Sequence, residues 1–345
     1  MSVAAPVPSP ANEGALGPPY PDELAVIIND SDSLSVATGN YYAIHRAIPA
    51  VNVLHVRLPR EPALAPLVFE RSARLVEAQL SNRVQFLALA WTEPYRVGCM
   101  SVTSAFALGY DSANCTSGCR LTPLSPYFDS DSRFPYRDFH MRPAMLLAAS
   151  DWAHAKALIN RGIDSDDSTP FGTAYLLDTS DRARDVRAAT FVSTSLYAPL
   201  SVNIQIVEGN EILNRDDVLF YFTGVPWVHG LETLRFLPGA IADHLTSYGG
   251  DLAGWSAQMS SLAWLEAGAT GSYGTVVEPC DFPGKFPDIP IVIRRYLAGE
   301  TLIEAYWKSV ARPSQGVFIG EPFARPFRQS AISYNRHAAP VQSRQ

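Results

Sequence analysis

The chain has 345 residues, of which 47% are hydrophobic and 18% charged, the balance of a globular protein with a sizeable core. A net charge of −7 and the lack of a local Lys/Arg cluster exclude a basic surface that could neutralise phosphates, so nucleic acid is not an expected partner. No run approaches the roughly 18 apolar residues that cross a bilayer, so no transmembrane segment is predicted.

The two ends differ in composition from the rest of the chain. Residues 1–22 are rich in Ala, Pro and Gly, lack the basic start and apolar run of a signal peptide, and are predicted to be a flexible leader. Residues 328–345 are polar and are predicted to be a disordered tail. Residues 23–327 are predicted to form a single α/β domain.

The first third of this domain alternates between strand and helix patterns. Residues 24–28 and 51–56 are short β-branched runs with a helical pattern between them, which predicts a βαβ unit with a right-handed crossover. A helix over 69–80 and a strand over 84–91 extend the alternation. The run over 84–91 is almost continuously apolar, as is typical of a parallel strand buried on both faces.

The periodicity then lapses and later returns. Residues 95–142 are rich in proline and aromatic residues and are predicted to be an insertion. Beyond it, the predicted helices cover 152–160, 181–192, 256–266 and 301–309, and the predicted strands cover 173–177, 202–207, 218–222, 272–277 and 317–319. The order of elements predicts a doubly wound, mostly parallel sheet.

Polar residues follow several of the predicted strands. Ligands bind beyond the carboxyl ends of parallel strands, because helix N-termini and loop amides converge there. We therefore expect a ligand-binding cleft in which these residues emerge at a common rim: Asp30, Thr92, Glu93, Asp178, Thr223 and Glu278. The alternatives are that Asp30 and Asp178 cap the next helices, and that Glu93 and Glu278, each followed by proline, are solvated turn residues.

The segment 237–250 (LPGAIADHLTSYGG) places Asp243, His244 and Ser247 within five residues and suggests a hydrolase. On a helix, Asp243 and Ser247 would share a solvated face, whereas after a strand over 240–245 Ser247 would sit on the tight loop where a nucleophile belongs. Adjacent side chains diverge and cannot form a triad among themselves, so His229 is the more suitable base. We therefore add Asp243 to the residues that are expected to line the ligand-binding cleft.

Several functional signatures are missing from the sequence. There is no GxGxxG after the first strand, no GxxxxGK[ST] and no GxSxG, which are the signatures of dinucleotide, nucleoside triphosphate and α/β-hydrolase sites. Cys115-x3-Cys119 lacks a second pair of zinc ligands, so no metal and no cofactor are predicted. Disulfide pairing in an oxidising compartment and isolated buried thiols remain as alternatives for Cys99, Cys115, Cys119 and Cys280.

The chain also resembles two protein families. LAVIIN (24–29), GATGSYGTVVEP (268–279) and TLIEAYWKSV (301–310) resemble exported, uncharacterised bacterial proteins that co-occur with exosortase sorting systems. DVLFYFTG (217–224) and LTSYGGD (245–251) more distantly resemble the gingipain-type, caspase-like cysteine peptidases. These resemblances imply a caspase-like or flavodoxin-like fold and an extracytoplasmic location.

The chain departs from the peptidase pattern at both catalytic positions. Ser247 falls where the cysteine would lie, and Gly224 or Val225 falls where the histidine would lie. This favours a catalytically silent binding or accessory protein of a cell-surface sorting or polysaccharide system, whose partners are cell-surface proteins or polysaccharides. The alternative is a serine-type hydrolase that uses Ser247, with His229 or His244 as base and Glu278 or Asp178 orienting it.

Overall fold

The computed structural model describes residues 20–114, 119–196, 202–280 and 282–328. The leader predicted over 1–22 and the tail predicted over 328–345 therefore lie almost wholly outside the described residues. Among the helices of these ranges, none combines the length and the hydropathy that a membrane span requires.

The described strands form one large sheet and one small sheet. In chain order they are β1 (Leu24–Asn29), β2 (Val53–Val56), β3 (Ala63–Leu64), β4 (Phe86–Leu89), β5 (Arg96–Val97), β6 (Met100–Ser101), β7 (Ala144–Leu146), β8 (Gly172–Asp178), β9 (Val202–Glu208), β10 (Val218–Thr223), β11 (Phe236–His244), β12 (Gly271–Thr275) and β13 (Gly316–Gly320). The large sheet has ten strands in the order β2-β1-β4-β7-β13-β12-β11-β10-β8-β9, and the small sheet has the order β3-β5-β6.

Helices cover both faces of the large sheet. They are α1 (Ser33–His45), α2 (Pro66–Glu77), α3 (Val102–Leu108), α4 (Pro135–Phe139), α5 (Trp152–Ser165), α6 (Phe191–Leu196), α7 (Leu262–Ala267), α8 (Ile289–Leu297) and α9 (Leu302–Ser309). Along β1, Leu24, Val26 and Ile28 join a core with α1, α8 and α9, whereas Ala25 and Ile27 join a core with α2 and α3. This confirms the predicted α/β class with a doubly wound, mostly parallel sheet.

The large sheet consists of two parallel halves that run in opposite directions. Every neighbouring pair is parallel except β12 and β13, in which Gly271 pairs with Gly320 and Thr275 with Gly316. Strands β2, β1, β4, β7 and β13 therefore run one way, and β12, β11, β10, β8 and β9 run the other way. The carboxyl ends of the two halves consequently lie at opposite edges of the sheet.

The region predicted as an insertion carries its own short elements. Strands β5 and β6 and helices α3 and α4 lie within it, and β5 pairs with β3 to extend the small sheet. Cys119 in this region forms a disulfide with Cys280, which follows β12. Cys99 is also disulfide-bonded, so the disulfide alternative holds for the cysteines that the structure describes.

Two predicted helices begin later than the sequence pattern indicates. The helix predicted over 181–192 is a 3-10 helix at Asp185–Thr190 that continues into Phe191–Leu196. The helix predicted over 256–266 begins only at Leu262, because the residues before it form a loop held by side-chain hydrogen bonds, such as that from the Ser256 backbone to Asp251.

Strand β11 was left open at the level of sequence, and strand β7 and helix α8 were not predicted. The segment around 240–245, for which a helix and a strand were both considered, belongs to the nine-residue strand β11. Strand β7 was missed because three residues give too short a pattern, and α8 was missed because its first turn contains proline. Proline is nevertheless compatible with a first helical turn, where no intrahelical N–H bond is lost.

Candidate functional site

The candidate site lies where β10 and β11 end side by side. Their register pairs Thr223 with His244, and all of β10 and the last six residues of β11 are buried. Side chains alternate along a strand, so neighbouring residues at the end of β11 point to different faces of the sheet. Asp243 accordingly faces one core and His244 the other.

The turn that carries Ser247 is packed against β12. Gly250 N donates to the Thr275 carbonyl at 2.9 Å, and Thr275 Oγ1 donates to the Ser247 carbonyl at 3.0 Å. Gly274 lies beneath this turn, and a Cβ at that position would come within 2.3 Å of the Gly249 backbone. The close approach requires glycine at 274, and it fixes the position of the turn.

His244 is buried and both of its ring nitrogens are engaged. Trp264 Nε1 donates to His244 Nδ1 at 2.9 Å, and His244 Nε2 lies 3.0 Å from the Met259 carbonyl oxygen. Because Nδ1 accepts, the hydrogen-bond network assigns the proton to Nε2, which donates to Met259. Burial lowers the pKa of His244 to about 4. The ring is therefore neutral near pH 7, and it holds the segment 259–264 against β11.

Among the described residues, no histidine nitrogen is hydrogen-bonded to the Ser247 hydroxyl. Ser247 is half-buried, and within the part of the chain that the structure describes its hydroxyl has no hydrogen-bond partner. His229 is exposed in the loop that follows β10, and it makes no hydrogen bond to Ser247. A general base needs a free lone pair on a ring nitrogen, and at His244 that lone pair, on Nδ1, already accepts the hydrogen bond from Trp264.

Asp243 belongs to a buried ion pair. Arg187 Nη1 lies 2.6 Å from Asp243 Oδ1, although the two groups are not aligned for a hydrogen bond, and Arg187 Nη2 donates to the Thr223 carbonyl at 2.9 Å. Burial raises the pKa of Asp243, and the guanidinium opposes that rise. The arginine thus bridges the ends of β10 and β11. The Thr223 hydroxyl is buried without a partner among the described residues.

A cleft of about 610 Å³ opens between the loops that follow β10 and β11, and we call it the β10–β11 cleft. It is lined by residues 227–232 of the first loop and by residues between 254 and 266 of the second. Trp227 lines the cleft, and 51% of its surface is exposed. The hydroxyl and amide side chains of the lining are Ser256, Gln258 and Ser260, and His229 lines the cleft as well. The lining residues that the structure describes include two carboxylates and no Lys or Arg.

Two more predicted residues lie at the same edge but outside this cleft. Asp178 is ion-paired with Arg182 at 2.8 Å and faces a separate cavity of about 340 Å³ that Glu208 also lines. Glu278 is exposed, and its Oε1 accepts a hydrogen bond from Cys280 N at 2.8 Å. Glu278 therefore stabilises its own turn.

The remaining predicted residues follow strands of the other half of the sheet. Asp30 Oδ1 lies 2.7 Å from His55 Nδ1. Thr92 Oγ1 donates to the Ala149 carbonyl at 2.7 Å and so links the ends of β4 and β7. Burial raises the pKa of Glu93, which is half-buried.

The prediction that Asp30, Glu93, Asp178, Thr223 and Glu278 emerge at one rim is therefore wrong. The antiparallel pairing of β12 with β13 reverses the direction of half the sheet, so the first two follow strand ends at one edge and the other three follow strand ends at the opposite edge. A single cleft cannot contain all five side chains.

The partners that define the site were missed at the level of sequence. The apolar pattern around Trp264 predicts a buried helix face but not a hydrogen bond to an imidazole. Arg187 lies in a polar segment with no distinguishing signal. Trp227 could have been found, because it lies in the loop that follows a predicted strand, and binding residues are often carried on loops. Among the described residues, no group of three His, Cys, Asp or Glu side chains is arranged to hold a metal ion.

Comparison with known proteins finds similarity among solved structures. No protein-family model matches the chain, and no curated protein sequence matches it. A solved structure named "Structure of Protease" is similar to the chain with a TM-score of 0.47 and 9% sequence identity, over 91% of this chain and 80% of that chain.

Proposed function

We propose that this chain is an extracytoplasmic binding protein without peptidase activity, and that its β10–β11 cleft takes a neutral polysaccharide segment. The observation that carries the proposal is the lining of the cleft, which combines a half-exposed tryptophan with hydroxyl and amide side chains. This is the composition of a pocket that binds by stacking and by a few placed hydrogen bonds.

The cleft disfavours anionic ligands. Its described lining has Glu232 and Glu266 as carboxylates and no Lys or Arg. A neutral sugar can stack its apolar face on Trp227 and exchange hydrogen bonds with hydroxyl and amide groups. Gln258 is well placed for this role, because its Oε1 accepts from Thr246 and from the Tyr248 backbone, which fixes the amide in position.

The hydrogen bonds of His244 argue against catalysis at the same edge. A serine nucleophile needs a base within hydrogen-bond reach of its hydroxyl. Trp264 and Met259 occupy both nitrogens of His244, and His229 makes no hydrogen bond to Ser247. The described cysteines are all in disulfides, so none supplies a thiolate.

The disulfides support the proposed location. Cys119 and Cys280 are 161 positions apart in sequence, and Cys99 is disulfide-bonded as well. Structural disulfides persist in oxidising compartments and are rare in the cytosol. This agrees with the exported family that the sequence resembles.

Binding is tested by calorimetry with a panel of neutral oligosaccharides and one acidic oligosaccharide. We expect Trp227→Ala to weaken binding of the neutral ligand at least tenfold, about 1.4 kcal/mol. Trp255→Ala is the matched control, because Trp255 is 78% exposed but does not line the cleft. Binding that survives Trp227→Ala, or equal binding of the acidic ligand, would contradict the proposal.

The absence of catalysis is tested with a fluorophosphonate probe for serine hydrolases. We expect no labelling of the full chain. Stoichiometric labelling that is lost in Ser247→Ala would establish the hydrolase instead, and it would leave the binding measurement to stand separately.

A further inference from the structure

A second cavity, of about 210 Å³, lies on another part of the molecule and shares no lining residue with the β10–β11 cleft. We call it the Arg325 cavity. Its walls come from the segment before β1, the end of α1, the chain after α5 and the chain after β13. Five of its eight lining residues are charged, namely Arg46, Asp166, Asp167, Arg325 and Arg328.

Two of the three arginines in this cavity have carboxylate partners. Arg46 Nη2 lies 2.7 Å from Glu321 Oε2, and Arg46 also pairs with Asp166. Arg328 Nη1 lies 3.5 Å from Asp167 Oδ2. The charges of these two side chains are therefore balanced within the protein.

Arg325 is the exception. It is 5% exposed, its Nε donates to the Gly299 carbonyl, and its Nη1 is buried without a partner among the described residues. Burial lowers the pKa of Arg325. Arg161 is half-buried and also lacks a carboxylate partner among the described residues, but its guanidinium donates to the carbonyls of Leu265 and Ala269. Buried cations normally have such partners.

An unpartnered acceptor lines the same cavity. Asp167 Oδ1 is buried and has no hydrogen-bond partner within the described residues. Asp167 is held in the left-handed region, with φ 59°, and its N–H donates to the Arg325 carbonyl at 3.1 Å. Thr169 also has a positive φ, and its N–H donates to the Pro326 carbonyl. The carboxylate and the guanidinium are thus fixed on two segments that are hydrogen-bonded to each other.

We propose that the Arg325 cavity binds a small zwitterion, of which a free α-amino acid is the simplest type. The carboxylate of the ligand accepts from Arg325 Nη1, and its ammonium group donates to Asp167 Oδ1. Charge-assisted hydrogen bonds of this kind are the strong ones in proteins. A volume of about 210 Å³ is small for a ligand pocket and restricts the ligand to a small side chain.

The charge balance favours a zwitterion over a simple anion. The cavity has three arginines against Asp166 and Asp167, and Glu321 beneath Arg46 brings the sum to zero. A lone anion would meet Arg325 but also two carboxylates. A ligand with both charges satisfies the buried donor and the buried acceptor without adding net charge.

Calorimetry on the full chain with glycine, L-alanine and L-serine tests this proposal. Acetate, methylamine and inorganic phosphate are the comparisons at equal ionic strength. We expect saturable binding of at least one amino acid, with an affinity at least tenfold higher than that of acetate or methylamine. Arg325→Met and Asp167→Asn should each weaken this binding at least tenfold.

Arg161→Met is the matched control, since it removes a half-buried arginine that does not line the cavity. Its binding should equal that of the wild type. If Arg325→Met does not fold, Asp167→Asn tests the proposal in its place, because asparagine keeps the size of the side chain and removes the charge. The proposal is overturned if none of the three amino acids binds, if acetate or phosphate binds as tightly, or if the variant that folds retains full affinity.

Discussion

Replacing His244 with glutamine should abolish a pH-dependent loss of stability that the wild type undergoes as the pH falls from 6.5 to 4. The buried imidazole is neutral, and the native state resists its protonation because the ring accepts from Trp264 and is shielded from water. In the unfolded chain the same ring is in water and takes up a proton readily. The unfolded state therefore gains protons first as the pH falls, and the free energy of unfolding decreases.

The size of this loss follows from the pKa of His244. Burial lowers it from 6.5 to about 4, and each pKa unit corresponds to about 1.4 kcal/mol. Above pH 6.5 both states are neutral and the stability is fully present. Between the two values only the unfolded state is protonated, and below pH 4 the loss is complete at about 3 kcal/mol.

Urea-induced unfolding, followed by tryptophan fluorescence from pH 7.5 to 4.5, measures this effect. Carboxylates that titrate in the same range contribute equally to wild type and variant, so the difference between the two free energies isolates residue 244. We expect His244→Gln to be less stable at pH 7.5, because Trp264 loses its imidazole acceptor, and to lose less stability on acidification.

Trp264→Phe is the matched control. It removes the donor to Nδ1 but keeps the imidazole buried, so most of the pH dependence should remain. Parallel pH curves for wild type and His244→Gln would refute the reasoning, because they would mean that the ring is accessible to protons in the native state. In that case His244 would again be available as a base.

Three further predictions concern the stability of the fold around the site. The double variant Cys119→Ser/Cys280→Ser should lose about 2–5 kcal/mol in urea unfolding, because the disulfide closes a long loop in the unfolded chain. Asp243→Asn should cost about 3–5 kcal/mol by the same assay, because it leaves a buried guanidinium uncompensated. Gly274→Ala should cost about 1–3 kcal/mol, because a Cβ there meets backbone at 2.3 Å.

Each of these predictions has a result that would contradict it. An unchanged urea midpoint in the double cysteine variant would mean that the disulfide does not form. The combination Arg187→Met/Asp243→Leu should recover most of the loss seen for Asp243→Asn, and equal loss in both would show that packing, not charge, is responsible. Gly284→Ala should be nearly neutral, since the nearest atom lies 3.6 Å away, and an equal cost at 274 and 284 would exclude the steric argument.

The local elements of the fold could be predicted because they depend on local pattern. Strand β1 is a run of apolar residues that ends at Asn29, and each of its six residues is buried. Helix α9 keeps its apolar periodicity and its capping box at Thr301 and Glu304, so its start is encoded within four residues. Strand β7, with three residues, carried too little pattern for the same reasoning.

The candidate site could be predicted only in part. Two alternatives were considered for the segment around Ser247, a helix and a strand followed by a turn. The structure has the second, with Ser247 on the turn beyond the end of β11. Sequence reasoning assigned His244 as a candidate base, but the ring is engaged by Trp264, twenty positions later in the chain. No local pattern indicates whether a histidine at the end of a strand faces a ligand or the core.

What the sequence determined by itself is the α/β class and most of the longer strands and helices, since these depend on hydrophobic period. Tertiary structure alone decided the direction of each half of the sheet and the partners of the polar residues. The antiparallel pairing of β12 with β13 joins segments about 45 positions apart in the chain and separates the two sets of strand ends. Such pairings are selected by the packing of the whole domain, because a strand presents the same backbone groups to a parallel and to an antiparallel neighbour.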